Sequence, residues 1–477
     1  MGIYFKGSKL GFTNSTIYEG KDGYKIVSKA IIKMKAFGDT QNTSFSQECY
    51  LTKDLKTEGF KSLYEIASHR QDISGIVEGN KLYMNITSGG AVSKKIIDFD
   101  NNTYLASAIE LVIKKHGLDV GKKYTIKTFL EPIQTIIPLQ IEIKRKEKIK
   151  ISPSPSAGEA GLPLPQSIAT GSGEGIEKEV FYLEEHFKEL SSSIWITEDG
   201  EVVKETSLEG LESRKEDKES ALKFEGEILP VSSFITFSLI RVNSVIATRH
   251  GVKRFRLKLK NIGNPDIIIE DQRQKVINKS RVESRESGVR RNIYDVEMEV
   301  KTEGQGSRVK GQGVGKISFD KYLEETPEIQ SGNPEIRKRA SEIIGDETNS
   351  WLKASKINKW VYDYLEKKPV DTFSAVDALK SKEGECQSHS NLFAAIARAA
   401  GIPTKIISGI VYSEDYKGFL YHTWVEVYAG KWIALDPTFG EEEVDATHVK
   451  LVEGGWEEQL KLLHFIGRVR IEIIEIG

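Results

Sequence analysis

Cysteine is scarce: Cys49 and Cys386 are the only two in 477 residues, which excludes a disulfide framework and requires each thiol to be explained singly. Excess charge of one sign is also missing, since 68 Lys+Arg stand against 70 Asp+Glu, so no global field draws the chain to nucleic acid or a membrane surface. No apolar run approaches the roughly 20 residues needed to cross a bilayer, and no integral membrane segment is expected. The start, Met1-Gly2-Ile3-Tyr4-Phe5-Lys6-Gly7, enters a strand-and-turn pattern with no basic segment followed by an apolar stretch. A chain trimmed of its leader would read the same, so the expectation is a cytoplasmic protein, or a periplasmic or secreted one if a leader was removed. What is present, 39% hydrophobic and 29% charged residues, excludes intrinsic disorder and collagen and leaves length for two to four domains.

The first 150 residues alternate. From Tyr24 to Ala36, Ile26, Ala30, Ile32 and Met34 share one face while Lys25, Lys29, Lys33 and Lys35 share the other, the pattern of an antiparallel strand with one wet side. Asp22-Gly23, Gly38-Asp39 and Glu78-Gly79-Asn80 mark turns. A helix is predicted from a Thr103 N-cap through Leu105, Ala108, Ile109 and Val112 to a stop at Gly117. Ser152 to Gly175 holds four prolines and five glycines and no periodicity, which reads as a disordered insertion. The half-wet strands on either side favour decoration of one hairpin over a domain boundary. Asp199-Gly200 between Ile194-Trp195-Ile196 and Val202-Val203 signals a further hairpin. Leu208 to Phe224 is predicted helical, and the charged run Glu270 to Asn292 a solvated loop.

Phe255, Leu257 and Leu259, with Val296, Met298 and Val300, give the apolar faces of a small antiparallel sheet. Near Tyr322 the texture turns helical. Asn333-Pro334 opens a helix closed by Gly345; a second carries Ile357, Trp360, Val361, Tyr364 and Leu365; a third starts near Cys386 and ends at Gly401-Ile402-Pro403. The expected architecture is a multidomain α+β chain: a β-rich N-terminal domain over residues 1–222 with the insertion at 152–175, a small antiparallel β domain over 223–321, and a C-terminal domain over 322–477.

Cys386 follows Gly384-Glu385 at a helix start, where the dipole and free backbone amides stabilise a thiolate and a glycine gives substrate access. Downstream, Tyr421 to Tyr428 and Lys431 to Asp436 flank Ala429-Gly430. A turn centred on Ala429 places His422 directly opposite Asp436, close enough for the carboxylate to hold the imidazole by its Nδ1 hydrogen. The spacing does not itself place Cys386 on the far side of that imidazole.

Gly384-Glu385-Cys386, the run Leu392 to Ala400, Gly401-Ile402-Pro403, Gly409, His422-Thr423-Trp424-Val425-Glu426-Val427 and Trp432-Ile433-Ala434-Leu435-Asp436-Pro437-Thr438 together resemble the core of the transglutaminase-like superfamily. The likeness is close from about Cys386 to Gly440, with Lys405 standing where many members have Arg. It implies a papain-like C-terminal core, a Cys386, His422, Asp436 triad for thiol acyl transfer through a thioester, and no cofactor; no carboxylate-rich calcium loop is visible. It points to a cysteine peptidase or amidase acting on a protein or peptide. Protein-glutamine transglutaminase, with an amine in place of water, is the alternative; a non-catalytic binding or scaffold protein is the second. The β-rich region is then expected to restrict access to Cys386 or present substrate.

One oxyanion donor is the Cys386 backbone amide, and Gln387, Trp360 and Tyr364 are candidates for the second. His389 shares a helical face with Cys386, but two ligands do not make a zinc site, so no metal is expected. Trp424 and Trp432 are read as sheet packing and Cys49 as a core residue. Gly304, Gly306, Gly311, Gly313 and Gly315 lack the context of a nucleotide fingerprint. His69, His116, His186, His250, His448 and His464 are read as ordinary surface or core residues.

Overall fold

The computed structural model describes residues 1–5, 7–36, 39–151, 176–187, 190–207, 210–223, 238–286, 289–302, 318–466 and 468–477. These form two compact units, the first from residues 1–68, 72–85 and 96–230, the second from 69–71, 86–95 and 231–477. The predicted insertion at 152–175 and the spaced glycines from Gly304 to Gly315 lie outside the described residues.

Alternation over the first 200 residues becomes strands: β1 (Gly2–Phe5), β2 (Ser8–Glu19), β3 (Gly23–Ala36), β4 (Asp39–Thr52), β5 (Thr57–Ile66), β6 (His69–Glu78), β7 (Lys81–Ser88), β8 (Ala91–Asp98), β9 (Thr103–Leu105), β10 (Lys123–Leu130), β11 (Thr135–Ile151), β12 (Ile176–Phe187), β13 (Leu190–Ile196), β14 (Val202–Thr206) and β15 (Leu211–Arg214), with helices α1 (Ile109–His116) and α2 (Lys218–Leu222). The strand order is β8 down to β1, then β15 down to β9. Two meanders therefore meet where β15 pairs antiparallel with β1. Strands β11 and β12 pair as far as Ile151 opposite Ile176, so the segment between them decorates one hairpin, as expected.

Three local readings need correction. Thr103 caps no helix: it pairs in β9 with β10, and α1 starts six residues later, ending at Gly117 as predicted. Of the predicted helix over 208–224, the described residues 210–223 form strand β15 followed by one short helix, because Asp217 caps only Ser220 while Leu211–Arg214 finds partners on β1 and β14. The charged run 270–292 is largely strand too. It supplies β18 (Gln274–Glu286) and the start of β19 (Val289–Lys301), whose backbone hydrogen bonds form whatever the side-chain charge.

Within the first unit Cys49 is fully buried, and burial pushes its thiol up to about 12, as suits a packing residue. Glu131 is buried nearby, accepts from the Gln47 amide, and is raised by burial to about 7. A carboxyl raised in the folded state takes up a proton on folding, so it costs stability as pH rises from its unfolded value through 7. Glu131→Gln should therefore stabilise this unit by about 2 to 3 kcal/mol at pH 8 and by almost nothing at pH 4.5; urea unfolding at the two pH values checks it.

The second unit places the site. Strand β17 (Arg254–Ile262) lies between β19 and the C-terminal β26 (Arg470–Ile476) in a four-stranded sheet. Phe255, Leu257, Leu259, Val296, Met298, Val300 and Ile471 of this sheet are buried in one core with Ile410, Tyr412, Phe419 and Val449. Those last residues belong to a second sheet, in which β22 (Thr404–Ser413) lies between β23 (Gly418–Tyr428) and β25 (Val449–Glu453), with β24 (Trp432–Leu435) and β16 (Ile240–Arg241) both on β23.

Four helices cover this sheet. In α3 (Pro334–Ile344) the Asn333 side chain accepts from Glu335 N and Gly345 closes the helix, as predicted. Asn349 caps α4 (Ser350–Tyr364) and Ser374 caps α5 (Ala375–Ser381) in the same way. The fourth is α6 (Cys386–Ala399). Their apolar stripes, including Ile336, Ile357, Val361, Leu392, Phe393 and Ile396, share a core with Ile406, Val425 and Val427. The odd-numbered side chains of β23 thus meet the helices, which leaves His422, Trp424 and Glu426 together on the other face.

Candidate active site

Cys386 is the first residue of α6, and Glu385 before it provides no side-chain cap. The cap comes from elsewhere in the chain: Asp371 Oδ1 accepts from Ser388 N at 3.0 Å and Ser388 Oγ at 2.9 Å. Gly384 has φ +151°, and a β-carbon there would overlap the Ser388 side chain. A glycine is therefore required for the chain to turn into the helix.

The half-buried thiol of Cys386 is pushed up by burial and then by Asp371, Glu385 and Asp436, against the Thr423 N–H directed at it. The expected lowering by the helix start is not met, because burial outweighs it and the Asp371 side chain already occupies the positive end of α6. Burial and Asp371 together raise Glu385 to about 7.

The β23–β24 hairpin pairs Val425 with Leu435, Val427 with Ile433 and Tyr428 with Trp432. Its centre is Gly430, at φ +87°, one residue beyond the turn centre predicted from sequence. His422 and Asp436 are consequently diagonal neighbours, not directly opposed. Moving the centre by one residue shifts every partner by two, which preserves the face. Asp436 lies just past β24 in a bridge with Glu441, and its Oδ2 meets His422 at 2.7 Å. The nitrogen involved is Nε2, not the predicted Nδ1. Thr423 N belongs to the peptide bond that follows His422, so the thiol and the imidazole flank one peptide unit.

His422 is nearly buried, stacked on Phe439 at 4.8 Å between ring centroids, with Trp424 at 6.2 Å. Trp424 is fully buried among Ile407, Ala434 and Val444, the packing role predicted for it. Gly409, opposite His422 on β22, has no room for a β-carbon beside Val449 O and the Trp424 ring.

Sequence reasoning missed His448. It is fully buried, and its Nε2 lies 3.2 Å from the same Asp436 Oδ2. Asp436 Oδ1 accepts from Thr438 N at 2.8 Å and Phe439 N at 3.3 Å. Burial would raise this carboxyl, but the charges and hydrogen bonds of His422 and His448 hold it well below the ordinary range. No local spacing marks His448; it reaches Asp436 because β25 pairs with β22, with Gly409 opposite Lys450. Among the described residues, His422, Asp436 and His448 bring potential ligand atoms within 4.8 Å of one another. Both imidazoles meet one oxygen at hydrogen-bond distance, which is a donor–acceptor arrangement and not a ligand cage.

The other candidates disperse. His389 Nδ1 bonds Glu385 O at 2.8 Å within its own helix. Tyr364 donates to Leu379 O at 2.8 Å and stacks on Trp360 at 4.2 Å, which commits both rings to helix packing. The Gln387 amide donates to Asn391 Oδ1 at 2.9 Å. Trp432 packs against Tyr322 and Tyr428, the packing role expected for it.

Residues 337–437 match the family model of the transglutaminase-like superfamily, which bears out the resemblance read from the residues. The chain is thus β-rich with a transglutaminase-like core. An uncharacterised protein of Haemophilus influenzae is 31% identical over 103 residues, 20% of this chain and 27% of its own length. The match spans about a quarter of that relative. A candidate cysteine protease from Cytophaga hutchinsonii has a TM-score of 0.33 and 18% identity over 48% of this chain and 89% of its own. A candidate protease from Parabacteroides distasonis has a TM-score of 0.21 and 13% identity over 77% and 64%. At these TM-scores neither likeness bears on the fold. No helix among the described residues is long and apolar enough to cross a membrane.

Proposed function

We propose that this chain is a cysteine-dependent hydrolase of amide bonds in a protein or peptide, with Cys386 as nucleophile, His422 as acid and base, and Asp436 as the group that orients His422. The observation that carries the reading is the 2.7 Å bond from His422 Nε2 to Asp436 Oδ2 beside a cysteine that opens a helix. With Nε2 committed to Asp436, Nδ1 is the nitrogen left to take the thiol proton. The raised thiol favours transfer of that proton to His422 over spontaneous ionisation.

The thiolate attacks the amide carbonyl carbon, and the tetrahedral oxyanion collapses as His422 gives its proton to the leaving amine. Water, deprotonated by His422, then attacks the thioester, releasing a carboxylic acid and restoring the thiol. The Cys386 backbone N–H, at the first position of α6, meets the Glu385 carboxyl and serves as one oxyanion donor once substrate displaces that contact. A primary amine in place of water would make the same chain a transglutaminase.

Mass spectrometry of a peptide library incubated with the full chain and a primary amine tests this. Cleavage or deamidation products should exceed amine adducts, and both should vanish in Cys386→Ala. Products no more abundant than in that variant would refute the reading.

A further inference from the structure

We propose that His448 is a positioning residue for this site: by directing a second imidazole at Asp436 Oδ2 it fixes the carboxylate that orients His422 and shares its negative charge. The inference rests on the Cys386, His422, Asp436 reading and adds to it a second partner on the orienting carboxylate.

The geometry is specific. Asp436 Oδ2 faces His422 Nε2 at 2.7 Å and His448 Nε2 at 3.2 Å, and Oδ1 is occupied by two backbone N–H groups. His448 and Asp436 are both fully buried, at 0%. On its other side His448 Nδ1 lies 3.5 Å from Asp445 Oδ1. Asp445 is itself held by Thr447 N at 2.7 Å and Arg249 Nη1 at 2.5 Å.

The charged and titratable groups around His448 come from several elements. They are Asp436 after β24, Asp445 on its own loop, His422 on β23 with ring centroids 5.9 Å apart, Glu441 in the turn after Asp436, and Arg249 before β17, which also pairs with Glu441 at 2.7 Å. Burial opposes a charge on His448, but the hydrogen bond to Asp436 and the Asp445 carboxylate 3.5 Å from Nδ1 raise it to about 9. It is therefore an imidazolium at neutral pH.

This separates two functions that one histidine would otherwise combine. His448 carries the charge that Asp436 neutralises, and His422 is left free to accept and return a proton. His448→Gln keeps an N–H donor within reach of Asp436 and removes the charge; His448→Asn is the shorter variant should Gln fail to pack.

The test is the pH dependence of Cys386 alkylation by iodoacetamide in the full chain. In the wild type a lower limb, set by the Cys386 and His422 pair, should precede the limb of the raised thiol. In His448→Gln or His448→Asn, with thermal unfolding still cooperative, the lower limb should move up by about one pH unit, since His422 gains the undivided carboxylate as partner to its cation. His422→Ala should abolish that limb. A lower limb unmoved in both His448 variants yet lost in His422→Ala overturns the inference and leaves the triad reading standing. A wild type with the same profile as His422→Ala overturns the reading on which the inference rests.

Discussion

Asp436→Asn should lower turnover of an amide substrate by about ten-thousand-fold, the scale seen when the orienting carboxylate of a triad becomes an amide. The carboxylate accepts four hydrogen bonds, two on each oxygen: His422 and His448 on Oδ2, Thr438 N and Phe439 N on Oδ1. An asparagine offers one accepting oxygen and one donating amide. Turned one way, its NH2 faces two imidazole N–H groups; turned the other, it faces two backbone N–H groups. If the oxygen stays with the backbone, His422 must move its proton to Nδ1, the nitrogen that has to accept the thiol proton. If it stays with the imidazoles, the Thr438–Phe439 turn loses its acceptor and Phe439, stacked on His422, shifts. Either way the base is lost. Comparison of kcat/KM for wild type and variant, with near-UV dichroism to confirm folding, checks this; a loss under tenfold would remove Asp436 from the mechanism.

The second large effect concerns stability. Lys450 on β25 is buried, with its Nζ 2.9 and 3.0 Å from the two oxygens of Glu426, 3.1 Å from Asp271 Oδ2 and 3.3 Å from Glu453 Oε2. Beside it lies a cavity of about 190 Å³, lined also by Lys405, Trp432 and Arg273. Lys450→Met should destabilise the second unit by about 3 to 5 kcal/mol at neutral pH, because Glu426 is left buried with its nearest cation gone. Lys405, whose Nζ is 4.0 Å from Glu426, recovers only part of the deficit. Burial opposes ionisation of Asp271 and Glu453, yet Lys450 holds both below the ordinary range. In the variant they take up protons at higher pH, so the deficit should be greatest at neutral pH and shrink in acid. Adding Glu426→Leu should restore at least about 2 kcal/mol, since removing a buried pair together costs far less than removing one member. Denaturant unfolding of both variants measures it, and a Lys450→Met change under 1 kcal/mol would show that Glu426 needs no buried cation.

These two networks show where sequence reading works and where it stops. Asn333-Pro334 and Gly345 predicted the bounds of α3 because caps are local. Gly384 before Cys386 and the shared face of His422 and Asp436 were legible for the same reason, since a period of two survives any even shift in register. The shift itself was not legible. Ala429-Gly430-Lys431 accommodates either centre, and the choice of Gly430 follows from which residue takes the positive φ and from strands packed on both sides. The thiol was misread because its burial, and then the approach of Asp371 from 15 residues upstream, are set by the fold and not by its neighbours in the chain. His448 went unread because strand pairing alone brings it to Asp436, and Lys450 because Glu426 and Asp271 reach it from other elements.

By itself, the sequence determined helices α3, α4 and α6, the resemblance to the superfamily whose model matches residues 337–437 and the identity of the three residues proposed for the chemistry, because helix starts, alternation and short motifs depend on neighbours in the chain. Only the tertiary structure brought together the groups around those residues: the burial of the thiol, an Asp371 at its helix end and a His448 that meets Asp436. Coulomb energies depend on distance through space and on burial, and neither is set by position along the chain.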